Sequence, residues 1–172
     1  MNKIQIESQI FEYTDFLSDD GINFFINKIK NYQGWPEFNP EDFWADKRWE
    51  DPDDEIKEKL LEIENKASSL LNKKYKISIP CIHRMYDGIG MSPHHDNSHV
   101  PNIRYGFVLY LNDDFDGGEL EYTKLNISFK PKTGSLVLHP ADEQYEHKVN
   151  QVKGNTRYTI LFFAHEEENW KN

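Results

Sequence analysis

The residues most able to do chemistry in this 172-residue chain are two histidines and an aspartate, His94, Asp96 and His147. Two imidazoles and one carboxylate form the ligand set that holds Fe(II) on one face and leaves other coordination positions open for substrate and O₂. Arg157 follows ten residues after His147, and a guanidinium binds a carboxylate through two parallel hydrogen bonds. The set therefore indicates a non-haem iron site in which one open position takes an anionic cosubstrate.

The spacing of His94 and Asp96 suits chelation from the end of one strand. Side chains at positions i and i+2 of an extended segment point the same way, so both can reach one metal while His95 points away. Such a pair also occurs by chance, and taken alone it is more often an exposed loop. Its combination with His147, Arg157 and the strand pattern described below favours the metal site.

His139 competes with His147 for the place of the third ligand. It ends an apolar strand, and by itself it is no worse a candidate. The spacing to Arg157 decides for His147. The remaining histidines have no partner at ligand spacing, and we interpret them as ordinary strand or loop residues: His83, His99 and His165.

Arg157 begins a strongly apolar strand, where a cation is costly unless it is paired. One interpretation is that its side chain extends from the strand end to solvent. The other is that it binds a carboxylate. Tyr110, in another predicted strand, could add a hydroxyl donor to that carboxylate, although a strand tyrosine is more often simply part of the core.

The elements that must position these residues divide into helices and then strands. Ser18 is a candidate N-cap for a first helix, and apolar residues at helical spacing predict a second helix from residue 52 or 53 to residue 72. Between them lies an aromatic, proline-bearing loop from Trp35 to Trp49. That loop either folds over a peptide and stacks on proline rings or seals the helices against the sheet.

The second half of the chain predicts short strands separated by turn residues. The clearest of them are residues 77–86, 104–111, 119–123, 127–129, 135–139 and 157–163. We expect an α+β fold, a double-stranded β-helix (jelly roll) braced by N-terminal helices. We expect a single domain over residues 1–172, with a helical part over about 1–75 and the jelly-roll core over about 76–166.

Composition restricts the class of partner. The net charge of -10 argues against a general affinity for nucleic acid or anionic membranes. No apolar run has the length of a signal peptide core or of a membrane span. The single cysteine, Cys81, excludes an intrachain disulfide and suits a reducing compartment. We therefore expect a cytoplasmic monomer or weak oligomer without nucleic-acid or membrane partners.

Several separated motifs occur in one order along the chain. They are FLSDD at 16–20, YDGIG at 86–90, HHD at 94–96, VLYLN at 108–112, DGGEL at 116–120, KTGS at 132–135, and HKV at 147–149 followed by Gly154 and Arg157. In this combination the chain resembles the iron- and 2-oxoglutarate-dependent dioxygenases, and within them the prolyl 4-hydroxylase-like group. The resemblance extends over nearly the whole chain from about residue 10.

The resemblance implies a role for each matching position. The iron ligands would be His94, Asp96 and His147, and Arg157 would bind the distal carboxylate of 2-oxoglutarate with Tyr110 beside it. Further cosubstrate contacts would come from Tyr86, near the cosubstrate, and from Leu120 and Phe163 in the wall of its pocket. The family often has a tyrosine just before the ligand pair, and Met91 stands in that stretch here.

The resemblance also implies the reaction. Fe(II), O₂ and 2-oxoglutarate would be used to hydroxylate an unactivated C–H bond, with release of succinate and CO₂ and with ascorbate as an optional reductant. The favoured substrate is a prolyl residue in a peptide or protein. Two alternatives stay open: a hydroxylase of a free amino acid or other small molecule, and a jelly-roll protein that binds metal without turnover.

Overall fold

The computed structural model describes residues 1–32, 54–78 and 81–166, so the predicted aromatic loop from Trp35 to Trp49 lies outside the described residues. Two helices are described, α1 (Asp19–Asn31) and α2 (Asp54–Ser68). The strands of the described residues are β1 (Asn2–Glu7), β2 (Ile10–Thr14), β3 (Lys76–Ile77), β4 (Cys81–Met85), β5 (Met91–His94), β6 (Ile103–Tyr110), β7 (Asp116–Gly117), β8 (Leu120–Tyr122), β9 (Ile127–Phe129), β10 (Leu136–Pro140), β11 (His147–Val149), β12 (Val152–Lys153) and β13 (Arg157–His165).

Two antiparallel sheets build the body of the fold. The larger sheet has the order β1, β2, β10, β6, β13, β3, with β4 also paired to β13. The smaller sheet has the order β5, β11, β8, β9, and β12 pairs with β7 separately. Apolar side chains from both sheets pack into one cluster between them. This is the jelly roll with bracing helices that the sequence predicts, and that fold class is confirmed.

Strand β6 shows how one strand serves two cores. Alternate side chains of a strand point to opposite faces. Phe107 and Leu109 pack on the side of the helices, and the Phe107 ring stacks on Phe162 of β13 at 4.7 Å between centroids. Val108 and Tyr110 point into the space between the two sheets. Each fully buried aromatic ring of this kind stabilises the fold by about 1.5–3 kcal/mol.

Helix α1 begins where the sequence predicts. The Ser18 side chain accepts a hydrogen bond from the Gly21 backbone N–H at 3.3 Å, and Asp19 supplies negative charge in the first turn. Phe25 and Ile29 are the buried residues of this helix and pack against the large sheet. The cap and the apolar spacing therefore both act as predicted.

Helix α2 presents four residues at helical spacing to the same core, Ile56, Leu60, Ile63 and Ala67. It ends at Ser68, four residues before the predicted end at residue 72. Among the described residues, neither helix is long and apolar enough to cross a membrane.

The N-terminal part differs from the helical prediction. Strands β1 and β2 form an antiparallel pair, and β2 joins the large sheet through β10, with Tyr13 opposite Leu136. A helical assignment of residues 1–75 misses this hairpin. Each strand is only five or six residues long, and β2 is held by a partner strand far along the chain that local sequence does not reveal.

Candidate metal centre

Two neighbouring strands of the smaller sheet bring His94 and His147 together. The two residues are directly opposite each other in the register of β5 and β11, and their ring centroids are 4.5 Å apart. Asp96 follows β5, and its Oδ1 lies 3.8 Å from His147 Nε2 and 4.0 Å from His94 Nε2. One potential ligand atom from each of the three residues lies within 4.8 Å of the others. This grouping is compact enough to hold one metal ion.

The outer nitrogen of each ring is held by the backbone. His94 Nδ1 lies 2.9 Å from the Ser92 carbonyl oxygen, and His147 Nδ1 lies 3.0 Å from the Tyr145 carbonyl oxygen. A carbonyl oxygen can only accept, so Nδ1 carries the proton and Nε2 presents its lone pair toward Asp96. Metal-binding histidines are usually oriented in this way.

The electrostatics of the site suit a cation. Burial raises the pKa of Asp96 to about 6. Burial lowers the pKa of His147, and burial together with the charge of His147 lowers the pKa of His94, so both imidazoles favour the neutral form. Asp96 Oδ2 is buried and has no hydrogen-bond donor among the described residues. A bound divalent ion would offset the cost of burying this carboxylate.

A third histidine lies against the same carboxylate. His139 is 1% exposed, and its Nε2 lies 3.7 Å from Asp96 Oδ2. Its ring packs edge-on against His147 at 4.7 Å. In the sequence, the ten-residue spacing to Arg157 favoured His147 over His139 as the third ligand. The pairing of β10 with β6, which spacing along the chain does not reveal, brings it to the site.

Arg157, the first residue of β13, is 2% exposed and so does not extend to solvent. Its Nη2 donates to the Tyr110 hydroxyl at 3.0 Å, and its Nη1 donates to the Thr159 hydroxyl at 3.4 Å and to Met85 Sδ at 3.7 Å. Its Nε has no acceptor, and no carboxylate of the described part of the chain pairs with it. A buried guanidinium with only neutral partners is poised to bind an anion.

One cavity between the sheets, of about 60 Å³, connects these groups. His94, Asp96, His147 and Arg157 all contribute to its lining. Most of the remaining wall is apolar, and it includes the two predicted wall residues: Leu120 and Phe163.

Comparison with known proteins now assigns the family. The profile of the 2OG-Fe(II) oxygenase superfamily matches residues 81–165, the segment that carries all four of these cavity residues. The chain belongs to this superfamily. Its members use Fe(II) and 2-oxoglutarate with O₂, which agrees with the predicted reaction class.

The relatives of this oxygenase include prolyl hydroxylases. Human prolyl 3-hydroxylase 2 is 35% identical over 66 residues, which is 35% of this chain but only 9% of that protein. The viral collagen prolyl hydroxylase of Paramecium bursaria Chlorella virus-1 superposes with a TM-score of 0.68 at 20% identity, over 94% of this chain and 97% of that one. A second structure is a prolyl hydroxylase from Trichoplax adhaerens in complex with a hypoxia inducible factor oxygen degradation domain peptide fragment. It superposes with a TM-score of 0.70 at 18% identity, over 93% of this chain and 84% of that one. The structural likeness shows a shared fold.

Two predicted cosubstrate contacts have different positions in the oxygenase. Tyr110 lies behind Arg157 and reaches it through its hydroxyl, rather than lining the cavity itself. Tyr86 does not line the cavity, and its ring lies 5.1 Å from the Arg84 guanidinium carbon. Because side chains alternate along β4, the preceding Met85 points into the cavity instead.

His83, which the sequence pattern predicts to be an ordinary strand or loop histidine, is a wall residue of the cavity. It lines the cavity two positions before Met85, and burial, followed by the charge of Arg157, lowers its pKa to about 3. The alternation of the predicted strand 77–86 was the signal that could have placed it there. The other histidines set aside from the site do not line the cavity: His95, His99 and His165.

Proposed function

We propose that this oxygenase is a 2-oxoglutarate-dependent hydroxylase in which His94, Asp96 and His147 hold Fe(II) and Arg157 binds the distal carboxylate of 2-oxoglutarate. The observation that carries the proposal is the buried Arg157 side chain, which has no carboxylate partner among the described residues. Burying one unpaired charge costs several kcal/mol. An incoming carboxylate removes that cost, whereas a protein that binds metal without turnover has no need of the arginine.

The neighbours of Arg157 fit the same ligand. The Tyr110 hydroxyl accepts a hydrogen bond from Arg157 and so helps to hold the guanidinium in position for a carboxylate. Leu120 and Phe163 offer an apolar wall for the methylene groups between the two ends of 2-oxoglutarate. Bound Fe(II) supplies the redox chemistry by which O₂ converts 2-oxoglutarate to succinate and CO₂ and hydroxylates a C–H bond. The protein orients the reactants and excludes water.

For the substrate, we propose a prolyl residue in a peptide or protein, with ascorbate as an optional reductant. Support comes from the viral collagen prolyl hydroxylase and from the Trichoplax enzyme with its peptide, whose fold this chain shares. The matched part of prolyl 3-hydroxylase 2 points to the same substrate class. A free amino acid or another small molecule is the alternative substrate.

The test of the cosubstrate site is a series at Arg157. In Arg157→Ala we expect the 2-oxoglutarate concentration for half-maximal succinate release to rise at least about tenfold, because a charge-assisted contact contributes about 1.5–3 kcal/mol. Arg157→Lys keeps the charge without the planar fork and should be milder. Tyr110→Phe should act in the same direction more weakly.

Metal affinity and melting temperature serve as controls in this series. Both should change little relative to the shift in 2-oxoglutarate dependence. An Arg157→Ala variant with the wild-type dependence on 2-oxoglutarate would refute the assignment of the anion site. Full activity with Zn(II) in place of iron would refute an oxidative function altogether.

The substrate is tested separately by mass spectrometry. The wild-type protein is incubated with Fe(II), 2-oxoglutarate and a panel of proline-containing peptides beside free amino acids. We expect one added oxygen on a prolyl residue. Turnover of a free amino acid without any peptide would replace the peptide proposal by the small-molecule alternative.

A further inference from the structure

His83 is a polar side chain in a largely apolar part of the cavity wall. It lies on β4, directly opposite Thr159 of β13, and is 4% exposed. Within the described part of the chain, the other polar side chains that line the cavity are Arg157 and the group gathered around Asp96, which comprises His94, Asp96, His139 and His147. His83 and Arg157 therefore supply the polar side chains of the remaining wall.

The guanidinium of Arg157 extends along β13 toward His83. Arg157 Nη1 donates to the Thr159 hydroxyl at 3.4 Å, and Thr159 is the register partner of His83 in the neighbouring strand. Burial, followed by the positive charge of Arg157 and then by that of His94, lowers the pKa of His83 to about 3. The charge of Arg157 thus acts on His83 more strongly than that of His94, which places the imidazole toward the anion-binding end of the cavity.

A neutral imidazole suits this position for an electrostatic reason. A second cation beside the buried Arg157 would be costly, because like charges repel strongly where water is excluded. The neutral ring instead carries one N–H donor and one acceptor nitrogen. The wall therefore keeps a single positive charge, which matches the single negative charge of a carboxylate, and it has a directional donor nearby.

The partners that Arg157 already has do not take the place of this donor. The hydroxyls of Tyr110 and Thr159 accept hydrogen bonds from the guanidinium, but neither side chain lines the cavity. They hold Arg157 from behind. A carboxylate has two oxygens with about four acceptor sites, more than one edge of a guanidinium occupies. His83 does line the cavity, so it can donate to one of the remaining sites.

We propose that His83 is a specificity-determining residue of the cosubstrate pocket, and that its neutral imidazole donates a hydrogen bond to the carboxylate bound by Arg157. The inference rests on the proposed function, because this carboxylate is the distal group of 2-oxoglutarate. His83 then favours 2-oxo acids that end in a second carboxylate over those that end in an apolar chain. Since it acts away from the metal ligands, its loss should leave metal affinity unchanged.

The experiment compares two ligands of equal chain length on the Co(II)-loaded protein, without O₂ or peptide. 2-Oxoglutarate and 2-oxopentanoate both present a keto oxygen and the adjacent carboxylate to the metal, but only 2-oxoglutarate carries the distal carboxylate. Isothermal titration calorimetry measures the dissociation constant of each ligand. His83→Leu removes the ring nitrogens at similar size. His99→Leu is the matched control, because His99 is exposed and does not line the cavity.

We expect His83→Leu to bind 2-oxoglutarate at least about tenfold more weakly than wild type, because a hydrogen bond to a charged group contributes on that order. It should bind 2-oxopentanoate at least as tightly as wild type does. His99→Leu should match wild type with both ligands, and Co(II) affinity should be the same in all three proteins. Melting temperatures identify a variant that has not folded, and His83→Phe, which also lacks a donor, then replaces His83→Leu.

An equal loss of affinity for both ligands in His83→Leu would overturn the proposal, because His83 would then only shape the pocket. Wild-type affinity of His83→Leu for 2-oxoglutarate would overturn it as well. The proposed function fails in a different way. Wild type would then show no preference for 2-oxoglutarate over 2-oxopentanoate, or would keep that preference in Arg157→Ala.

Discussion

Asp96 is the residue that all three imidazoles of the centre approach. His94, His139 and His147 each approach its carboxylate within 4.0 Å, and burial keeps its pKa above the usual value. The imidazoles are themselves held toward the neutral form by burial. This combination leaves the carboxylate without a permanently charged positive partner among the described residues, and a divalent cation held by His94, Asp96 and His147 would supply one.

Gly106 gives a prediction at the scale of one methyl group. Gly106→Ala should weaken Co(II) binding by roughly 10–100-fold, because the new Cβ meets Asp96 and His139 and displaces groups that orient the metal. Gly88→Ala is the control, since a Cβ there meets no atom within 4 Å although its φ of +80° strains the backbone. That variant should lose stability and keep its metal affinity. Equal metal affinities in the two variants would contradict the prediction, with calorimetric titration as the measurement.

At the scale of elements, strand pairing positions the site and the helices support it from outside. His94 and His147 meet because β5 and β11 are neighbours in register. Arg157 enters the cavity because β13 alternates, so that Ile160 and Phe162 pack on the side of the helices while Arg157 and Leu161 line the cavity. The inner and outer faces of the large sheet therefore have separate functions.

Because the helices and the cavity lie on opposite faces of the large sheet, a substitution that destabilises a helix should leave the reaction at the cavity unchanged. Ser18→Ala removes the N-cap acceptor of α1 and should lower the free energy of unfolding by about 1 kcal/mol. Ser18→Asp keeps an acceptor and should retain wild-type stability. Urea denaturation measures both variants, and their 2-oxoglutarate dependence should stay at the wild-type value. A Ser18→Ala protein as stable as Ser18→Asp would show that the cap contributes nothing.

At the scale of the whole molecule, the candidate site draws its side chains from both sheets. His94, Asp96 and His147 belong to the smaller sheet and the turn after it, while His139 and Arg157 belong to the larger sheet. A ligand that binds only the folded state stabilises it by mass action. A metal ion held by His94, Asp96 and His147 should therefore stabilise the folded protein.

This coupling predicts a thermal shift. Co(II) at about 100 times its dissociation constant should stabilise the fold by about 2.7 kcal/mol. For a chain of this length that corresponds to a melting temperature higher by roughly 5–10 °C. The comparison is wild type against His94→Ala by differential scanning calorimetry, where the variant should show little shift. An equal rise in both proteins would indicate metal binding elsewhere on an acidic surface with a net charge of -10.

The sequence by itself determined the chemistry and the fold class. The pair of His94 and Asp96 is local, since both side chains need only an extended segment to point the same way. Short strands separated by turn residues in the second half of the chain predicted the jelly roll, although β5 and β11 were not among the clearest of them. Ser18 marked the start of α1 through a side chain that caps its own helix. Each of these features depends on neighbours in the chain, which is why residue type and spacing were sufficient.

Only the tertiary structure decided which distant residues share the site. His139 reaches Asp96 because β10 pairs with β6 opposite Gly106, and no spacing in the chain encodes that neighbour. Burial of Arg157, the turning of Tyr86 away from the cavity and the attachment of β2 to β10 also depend on strand order. A strand pattern specifies which side chains share a face, whereas the identity of the facing strand results from the packing of all the strands together. The sequence offered His139 only as an alternative to His147, and its position beside Asp96 follows from the folded protein.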